Sequence, residues 1–380
     1  MNWRVPLADL DYGPEEEEAV QNVLRGRWLT MGTVTQTFEE QFAEMTGAKH
    51  AIAVSNATVA LHLACVARGI GPGDEVIVPS LTFVATANAV LYTGADVRFA
   101  EVLGPETLTI SPKAIEQQIT PATKAIIVMH YAGYPCQMKA ILEIARKHGL
   151  TVIEDAAHAS GASLEGKALG TWGDIGCFSF FSNKNLSTGE GGMLVTDWDD
   201  LAEHVRTLRS HGMTSLTWDR HQGHAFSYDV TALGYNYRID EIRSALGLAQ
   251  LAKLPANNLR RAQLTEQYWS GLEGIGIGLP FRDWADFPAA VPAFHIFPIL
   301  LPDGVDRNKF MEHMRENGIQ TSIHYPPVHQ FSFYQKKYPG VTQVLTEKIA
   351  SCEVTLPLYP TMKDEAVVWV IDAVRRGIQG

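Results

Sequence analysis

The stretch Phe178-Ser179-Phe180-Phe181-Ser182-Asn183-Lys184-Asn185 runs an apolar strand into a polar turn that carries one lysine. Ser187-Thr188-Gly189-Glu190-Gly191-Gly192 follows, and an apolar strand then resumes. A lysine among hydroxyls and glycines at the end of a buried strand is placed for ligand chemistry. Desolvation there disfavours the ammonium and leaves a nucleophilic amine that can form a Schiff base with a carbonyl. From this segment alone, a snorkelling surface lysine beside a glycine-rich turn fits equally well.

Upstream of it, short apolar runs alternate with amphipathic ones. Ala51–Val54, Glu75–Pro79, Val97–Ala100, Lys124–His130, Thr151–Glu154, Ile175–Phe181 and Met193–Thr196 read as strands. Thr58–Ala67, Ala85–Tyr92 and Met138–His148 read as helices, and Gly13-Pro14-Glu15-Glu16 opens an earlier one. Such alternation predicts an α/β fold with a mostly parallel sheet covered on both faces. The texture changes after about Leu254. Strands are expected at Phe294–Leu301 and Thr321–Tyr325, with helices from Asp306 to Asn317 and from Thr361 to about Arg376. A helix over Asp240–Lys253 joins the parts. The expected division is a large domain over 1–250 and a smaller α+β domain over 251–380, the N-terminal segment packing on the latter.

Three further segments end apolar strands. Val152-Ile153-Glu154-Asp155-Ala156-Ala157-His158 places an aspartate where open α/β sheets bind ligands. Pyridoxal phosphate (PLP) needs an anionic partner for its ring nitrogen, because the protonated ring is the better electron sink. Asp155 suits that role, and equally a helix N-cap. His158, one helical turn on, could meet the cofactor's phenolic oxygen or be an ordinary buried histidine. Ser55-Asn56-Ala57-Thr58 offers N–H groups and a hydroxyl at a helix N-terminus, for phosphate or simply for capping. Phe83, in Pro79-Ser80-Leu81-Thr82-Phe83, is a stacking ring or a core residue.

Composition narrows the classes. The chain has 380 residues, 46% hydrophobic and 19% charged, as in an ordinary globular protein. A net charge of -11 disfavours nucleic acid as a partner. No run approaches the roughly 18 apolar residues of a membrane span. Met1–Gly13 has no signal-peptide core, so a cytoplasmic location is expected. Cys65, Cys136, Cys177 and Cys352 form no Cys-x-x-Cys pair and read as small buried hydrophobes. Gly189-Glu190-Gly191-Gly192 and Gly274-Ile275-Gly276-Ile277-Gly278 both lack the last glycine of a dinucleotide fingerprint. There is no P-loop, Gly-x-Ser-x-Gly or His-Glu-x-x-His, and no metal site is expected.

Taken together, the segments resemble the DegT/DnrJ/EryC1/StrS family of PLP-dependent nucleotide-sugar aminotransferases. The most specific stretches are Gly71–Pro79, Glu154–His158, Phe178–Gly192, Gly234-Tyr235-Asn236-Tyr237-Arg238 and His324-Tyr325-Pro326-Pro327. The resemblance implies PLP fold type I, like aspartate aminotransferase, with a seven-stranded large-domain sheet. It also implies a homodimer whose active sites are shared between subunits. Lys184 matches the Schiff-base lysine, Asp155 the pyridinium partner and His158 the group near the phenolic oxygen. Ala57, Thr58 and Ser179 match phosphate ligands, Phe83 the stacking aromatic, and Asn236 an asparagine reaching the neighbouring subunit's phosphate. Trp28-Leu29-Thr30, Arg238 and His324-Tyr325 match segments that meet the sugar. Relatives usually have Gly-Thr where this chain has Ala57-Thr58.

The expected reaction moves an amino group from an amino acid, L-glutamate in similar enzymes, to a nucleotide-diphosphate keto-sugar, with pyridoxamine phosphate as the intermediate cofactor form. Three other readings remain at this stage, one of them a fold-type-I amino-acid aminotransferase, from which the sugar-family motifs point away. A PLP-dependent sugar dehydratase would carry histidine at the lysine position. A non-catalytic PLP-binding regulatory protein would bind cofactor without reacting with any donor. The segments Thr214–Tyr228 and Phe281–Ala293 are the expected carriers of substrate choice.

Overall fold

A computed structural model describes residues 3–214, 227–283 and 289–379. Residues 215–226 and 284–288, the middle of both expected specificity loops, lie outside the described residues. The main sheet has seven strands: β1 (His50–Val54), β2 (Glu75–Pro79), β3 (Asp96–Ala100), β4 (Thr123–Met129), β5 (Thr151–Asp155), β6 (Ile175–Ser179) and β7 (Gly192–Thr196). Their order is β1-β7-β6-β5-β4-β2-β3. Only β7 runs antiparallel to its neighbours, pairing Gly192 with Ser179 on one side and with Val54 on the other.

Both faces of this sheet are covered, which is why β5, β6 and β7 are buried at every position. Alternate residues feed separate cores. Ile52 and Val54 pack with Leu61, Val76, Ile153 and Leu194, while Ala51 and Ala53 pack with Phe38, Phe42, Phe178 and Phe180. The phenylalanines interlock, with Phe42 and Phe178 ring centres 5.0 Å apart and nearly perpendicular.

A second core gathers Val5, Leu264, Tyr268, Phe297, Ile299, Phe310, Val354, Leu356, Val367 and Val370. Its two-stranded antiparallel sheet pairs β8 (Phe297–Leu300) with β9 (Glu353–Leu356), and Val5 bridges Ile319. The helix capped by Asp240, whose side chain accepts from the Arg243 N–H at 2.9 Å, runs from Glu241 to Leu272. It does not stop at Lys253, although Pro255 lies inside it. Proline costs about 3 kcal/mol in a helix interior. Burial of Leu251 and Leu254 in one core and of Leu264, Tyr268 and Leu272 in the other outweighs that.

The expected strand Thr321–Tyr325 does not form. Ser322 makes one bridge, to Thr355, and the His324 N–H then donates to the buried Glu353 carboxylate at 2.8 Å. A side chain thus takes the hydrogen bond a neighbouring strand would have received. Cys65, Cys136 and Cys177 are buried free thiols, and Cys352 is half-buried. Among the described residues, no helix is long and apolar enough to cross a membrane.

Candidate active site

The carboxyl ends of β1, β2, β4, β5 and β6 open into one cavity of about 450 Å³. Asn56, Ala57 and Thr58 line it after β1, Phe83 after β2, and Met129 at the end of β4. Asp155 and His158 come from β5 and the turn beyond it. Ser179, Phe181, Asn183, Lys184 and Glu190 come from β6 and its loop, and His324 and Tyr325 from the C-terminal part. Parallel strands that end at one level deliver these distant residues to one place.

Lys184 is not a surface lysine: it is half-buried and its Nζ lies 3.4 Å from His295 Nε2. Burial pulls its amine down to about 8, while the charge of Asp155 pulls the other way. Asp155 is buried, and burial raises its carboxyl above the usual range. It nevertheless accepts two hydrogen bonds, from Thr86 Oγ1 at 2.7 Å and from the Ala157 N–H at 3.1 Å. No helix follows Asp155, so the helix N-cap reading fails and His158 lies across a turn rather than one helical turn on. The His158 ring accepts the Ala132 N–H at 3.2 Å on Nδ1 and meets the Tyr325 hydroxyl at 2.9 Å on Nε2. Its burial holds it well below the ordinary histidine range.

The helix Ala57–Ala67 begins at the cavity. Asn56 caps it by accepting the Val59 N–H at 3.0 Å, which leaves the N–H groups of Ala57 and Thr58 with no intrahelical acceptor. The capping reading therefore holds for Asn56 and still leaves donors aimed at a ligand. Gly192 presses against this helix start, since a Cβ there would sit 2.6 Å from the Asn56 carbonyl carbon. Phe83 is 55% exposed, which excludes the core reading, and its ring centre is 5.8 Å from that of Tyr325.

Trp28, Leu29, Thr30, Asn236 and Arg238 lie outside the lining of this cavity. The Trp28 indole donates to the Met31 carbonyl at 3.3 Å, Thr30 bridges Asp240, and the exposed Asn236 bridges Ser210. Sequence reading missed Thr86, Asn183, Glu190 and His295. His295 is 111 positions from Lys184, and nothing local marks either it or Thr86.

A depressed amine, a buried carboxylate, a helix N-terminus and an uncovered aromatic ring fit a flat, phosphorylated pyridine aldehyde. The comparisons agree. The chain is 40% identical to the spore coat polysaccharide biosynthesis protein SpsC of Bacillus subtilis (strain 168), covering 97% of this chain and 95% of that protein. It superposes with a TM-score of 0.91 on S. venezuelae DesV, solved with a ketimine intermediate, at 35% identity over 99% of both chains. Spr1654 from Streptococcus pneumoniae matches with TM-scores of 0.91 and 0.90 in its PLP and PMP forms, at 25% and 26% identity. Those alignments cover 99% of this chain, and 98% and 99% of Spr1654. The DegT/DnrJ/EryC1/StrS aminotransferase family model matches residues 11–375, and the chain belongs to that family of PLP-dependent sugar aminotransferases.

Proposed function

We propose that this enzyme transfers the amino group of L-glutamate to a nucleotide-linked keto-sugar, in the making of amino sugars for a surface polysaccharide or a secondary metabolite. The observation that carries the reading is the Lys184 amine, half-buried and drawn down to about 8, in one cavity with Asp155. Bound PLP supplies an electron sink for the bonds made and broken at the amino carbon.

The protein's own residues do the rest. Lys184 holds the cofactor covalently and, once displaced, carries a proton as general acid and base. Asp155, held by Thr86 and Ala157, keeps the ring nitrogen protonated. His158 serves the phenolic oxygen, and Phe83 covers the ring. Ala57, Thr58 and Ser179 hold the phosphate. His324 and Tyr325 face the sugar. Trp28, Leu29, Thr30 and Arg238 belong to the sugar-binding surface completed on dimerisation, and Asn236 reaches the partner's phosphate. Val230 and Leu233, exposed apolar side chains in the segment that carries Asn236, support a homodimer of that kind.

Two experiments test this. L-glutamate alone should convert the visible cofactor band, and a panel of nucleotide keto-sugars should then identify the acceptor by amine product. No half-reaction with any amino donor would favour a binding or regulatory role instead. Mixing inactive Lys184→Ala and Asn236→Asp subunits should restore up to about a quarter of the activity, since one site of each mixed dimer carries neither change. No recovery, with subunit exchange verified, would remove Asn236 from the partner's site.

A further inference from the structure

His295 is fixed at more points than a core histidine needs. Its backbone N–H donates to the Ala132 carbonyl at 2.8 Å, and its carbonyl accepts from the buried Arg261 guanidinium at 3.2 Å. Its ring centre lies 4.2 Å from that of His158. Its Nδ1 lies 2.9 Å from Asn185 Oδ1.

The orientation of Asn185 follows from its other partners. Its amide nitrogen is 2.6 Å from the Ala293 carbonyl oxygen, which can only accept, so Nδ2 must face it. The same nitrogen donates to Asn258 Oδ1 at 2.8 Å, and Asn258 donates to the Ser160 carbonyl at 2.9 Å. Asn185 Oδ1 is therefore the acceptor, and His295 Nδ1 carries the proton. In the neutral ring Nε2 is then bare, and it faces Lys184 Nζ at 3.4 Å. Burial first, and then His158, Lys184 and Arg261 beside it, hold this imidazole well below the ordinary histidine range, so a second proton on it is disfavoured.

We propose that His295 is a positioning residue for Lys184: its bare Nε2, set by the Asn258–Asn185 relay, receives the amine whenever Lys184 is free of the cofactor. Taking one N–H turns the amine's lone pair away from the imidazole, where it is available to attack the cofactor or accept a proton. This rests on Lys184 being the cofactor-bearing lysine. The other titratable groups lining the cavity around the amine are Asp155, His158, Glu190, His324 and Tyr325. His324 is also held by a relay, its Nδ1 2.8 Å from Thr355 Oγ1, which donates to Glu353, but it is the His295 ring that lies 3.4 Å from the amine.

The test uses the full-length apo-enzyme, inorganic buffer and PLP, and follows the rate of visible-band formation against pH. His295→Phe keeps a flat ring without an acceptor. His295→Gln can place an amide oxygen near the position of Nε2. An acceptor favours the ammonium, so its loss lowers the amine's pKa. His295→Phe should therefore move the pH midpoint down by about half a unit to one unit. It should also slow capture roughly tenfold on the plateau through lost positioning. His295→Gln should restore both within about threefold. Asn185→Ser, which leaves the ring in place, should shift the midpoint the same way by less. Thermal melts report folding for each variant. A folded His295→Phe with wild-type rate and midpoint overturns the proposal, as does a folded His295→Gln no better than His295→Phe. If Phe does not fold, an unmoved midpoint in Asn185→Ser overturns it. Absence of any visible band in the wild type would instead sink Lys184 as the cofactor-bearing residue.

Discussion

Replacing Gly192 by alanine puts a Cβ 2.6 Å from the Asn56 carbonyl carbon, 2.8 Å from the Ala57 nitrogen and 2.8 Å from the Asn56 oxygen. All three are backbone atoms, so no side chain can swing away. Carbon contacts settle near about 3.5–4.0 Å, so β7 and the start of the helix must part by roughly 1 Å. Overpacking of this kind costs about 1–3 kcal/mol of stability. It also displaces the Ala57 and Thr58 N–H groups. Loss of one charge-assisted hydrogen bond to a phosphate is worth about 1.5–3 kcal/mol, or roughly 10- to 150-fold in PLP affinity. Thermal melts of the apo-enzyme and equilibrium dialysis of PLP measure the two effects separately. Gly26→Ala, where nothing lies within 4 Å, is the control and should change neither. A Gly192→Ala enzyme that melts lower yet binds PLP as tightly as the wild type would refute the helix start as the phosphate anchor. An unchanged melt would refute the packing argument itself.

Asp155→Asn keeps the Ala157 contact, and Thr86 can turn its proton to Thr82, 2.7 Å away, so the fold should survive. PLP should bind while the half-reaction with glutamate, followed by stopped-flow absorbance, falls by about two orders of magnitude or more as the charge on the ring nitrogen is lost. Because the Lys184 amine titrates near 8, well below the ordinary 10.5, capture of PLP by apo-enzyme should rise about tenfold per pH unit up to about pH 8 and level above it. A rate already flat at pH 6, or still rising at pH 10, would contradict that. Phe83→Leu removes a stacking face worth about 1 kcal/mol, so dialysis should show PLP held about fivefold more weakly.

The main sheet was legible because its strands are apolar on both faces and therefore stand out between helices and turns. That Lys184 and Asp155 meet in one cavity was legible for a related reason: Asp155 ends and Lys184 follows an apolar strand, and the carboxyl ends of both strands open on the same side of the sheet, although a surface lysine and a helix N-cap fitted the sequence as well. Thr321–Tyr325 misled because alternation cannot reveal that Glu353, far along the chain, takes the His324 N–H. The length of the helix Glu241–Leu272 was hidden by Pro255, whose local signal loses to burial on either side. His295 was invisible for lack of any neighbour in sequence that shares its task. Trp28, Leu29 and Thr30 lie outside the cavity lining, and the part given to them belongs to the proposed homodimer.

The loop that bears Lys184 leaves β6 at Ser179 and returns as β7 at Gly192, its direct partner. Phe180 continues the pairing by donating to the Gly191 carbonyl at 2.9 Å. The excursion is thus pinned at its base, and Asn185 pins it again just past the lysine. Gly189, with a φ of +79° and nothing within 4 Å of its missing side chain, is tied through its backbone: its N–H donates to Ser187 Oγ at 3.4 Å and its carbonyl accepts from Ser182 Oγ at 3.2 Å. Loop closure grows only slowly with length, about 0.6 kcal/mol for each doubling. Extra residues grafted at Gly189 would therefore cost little in closure, yet they would break its ties to Ser182 and Ser187 on either side of the lysine, so the rim beside Glu190 cannot be rebuilt there without reaching the segment that bears the amine.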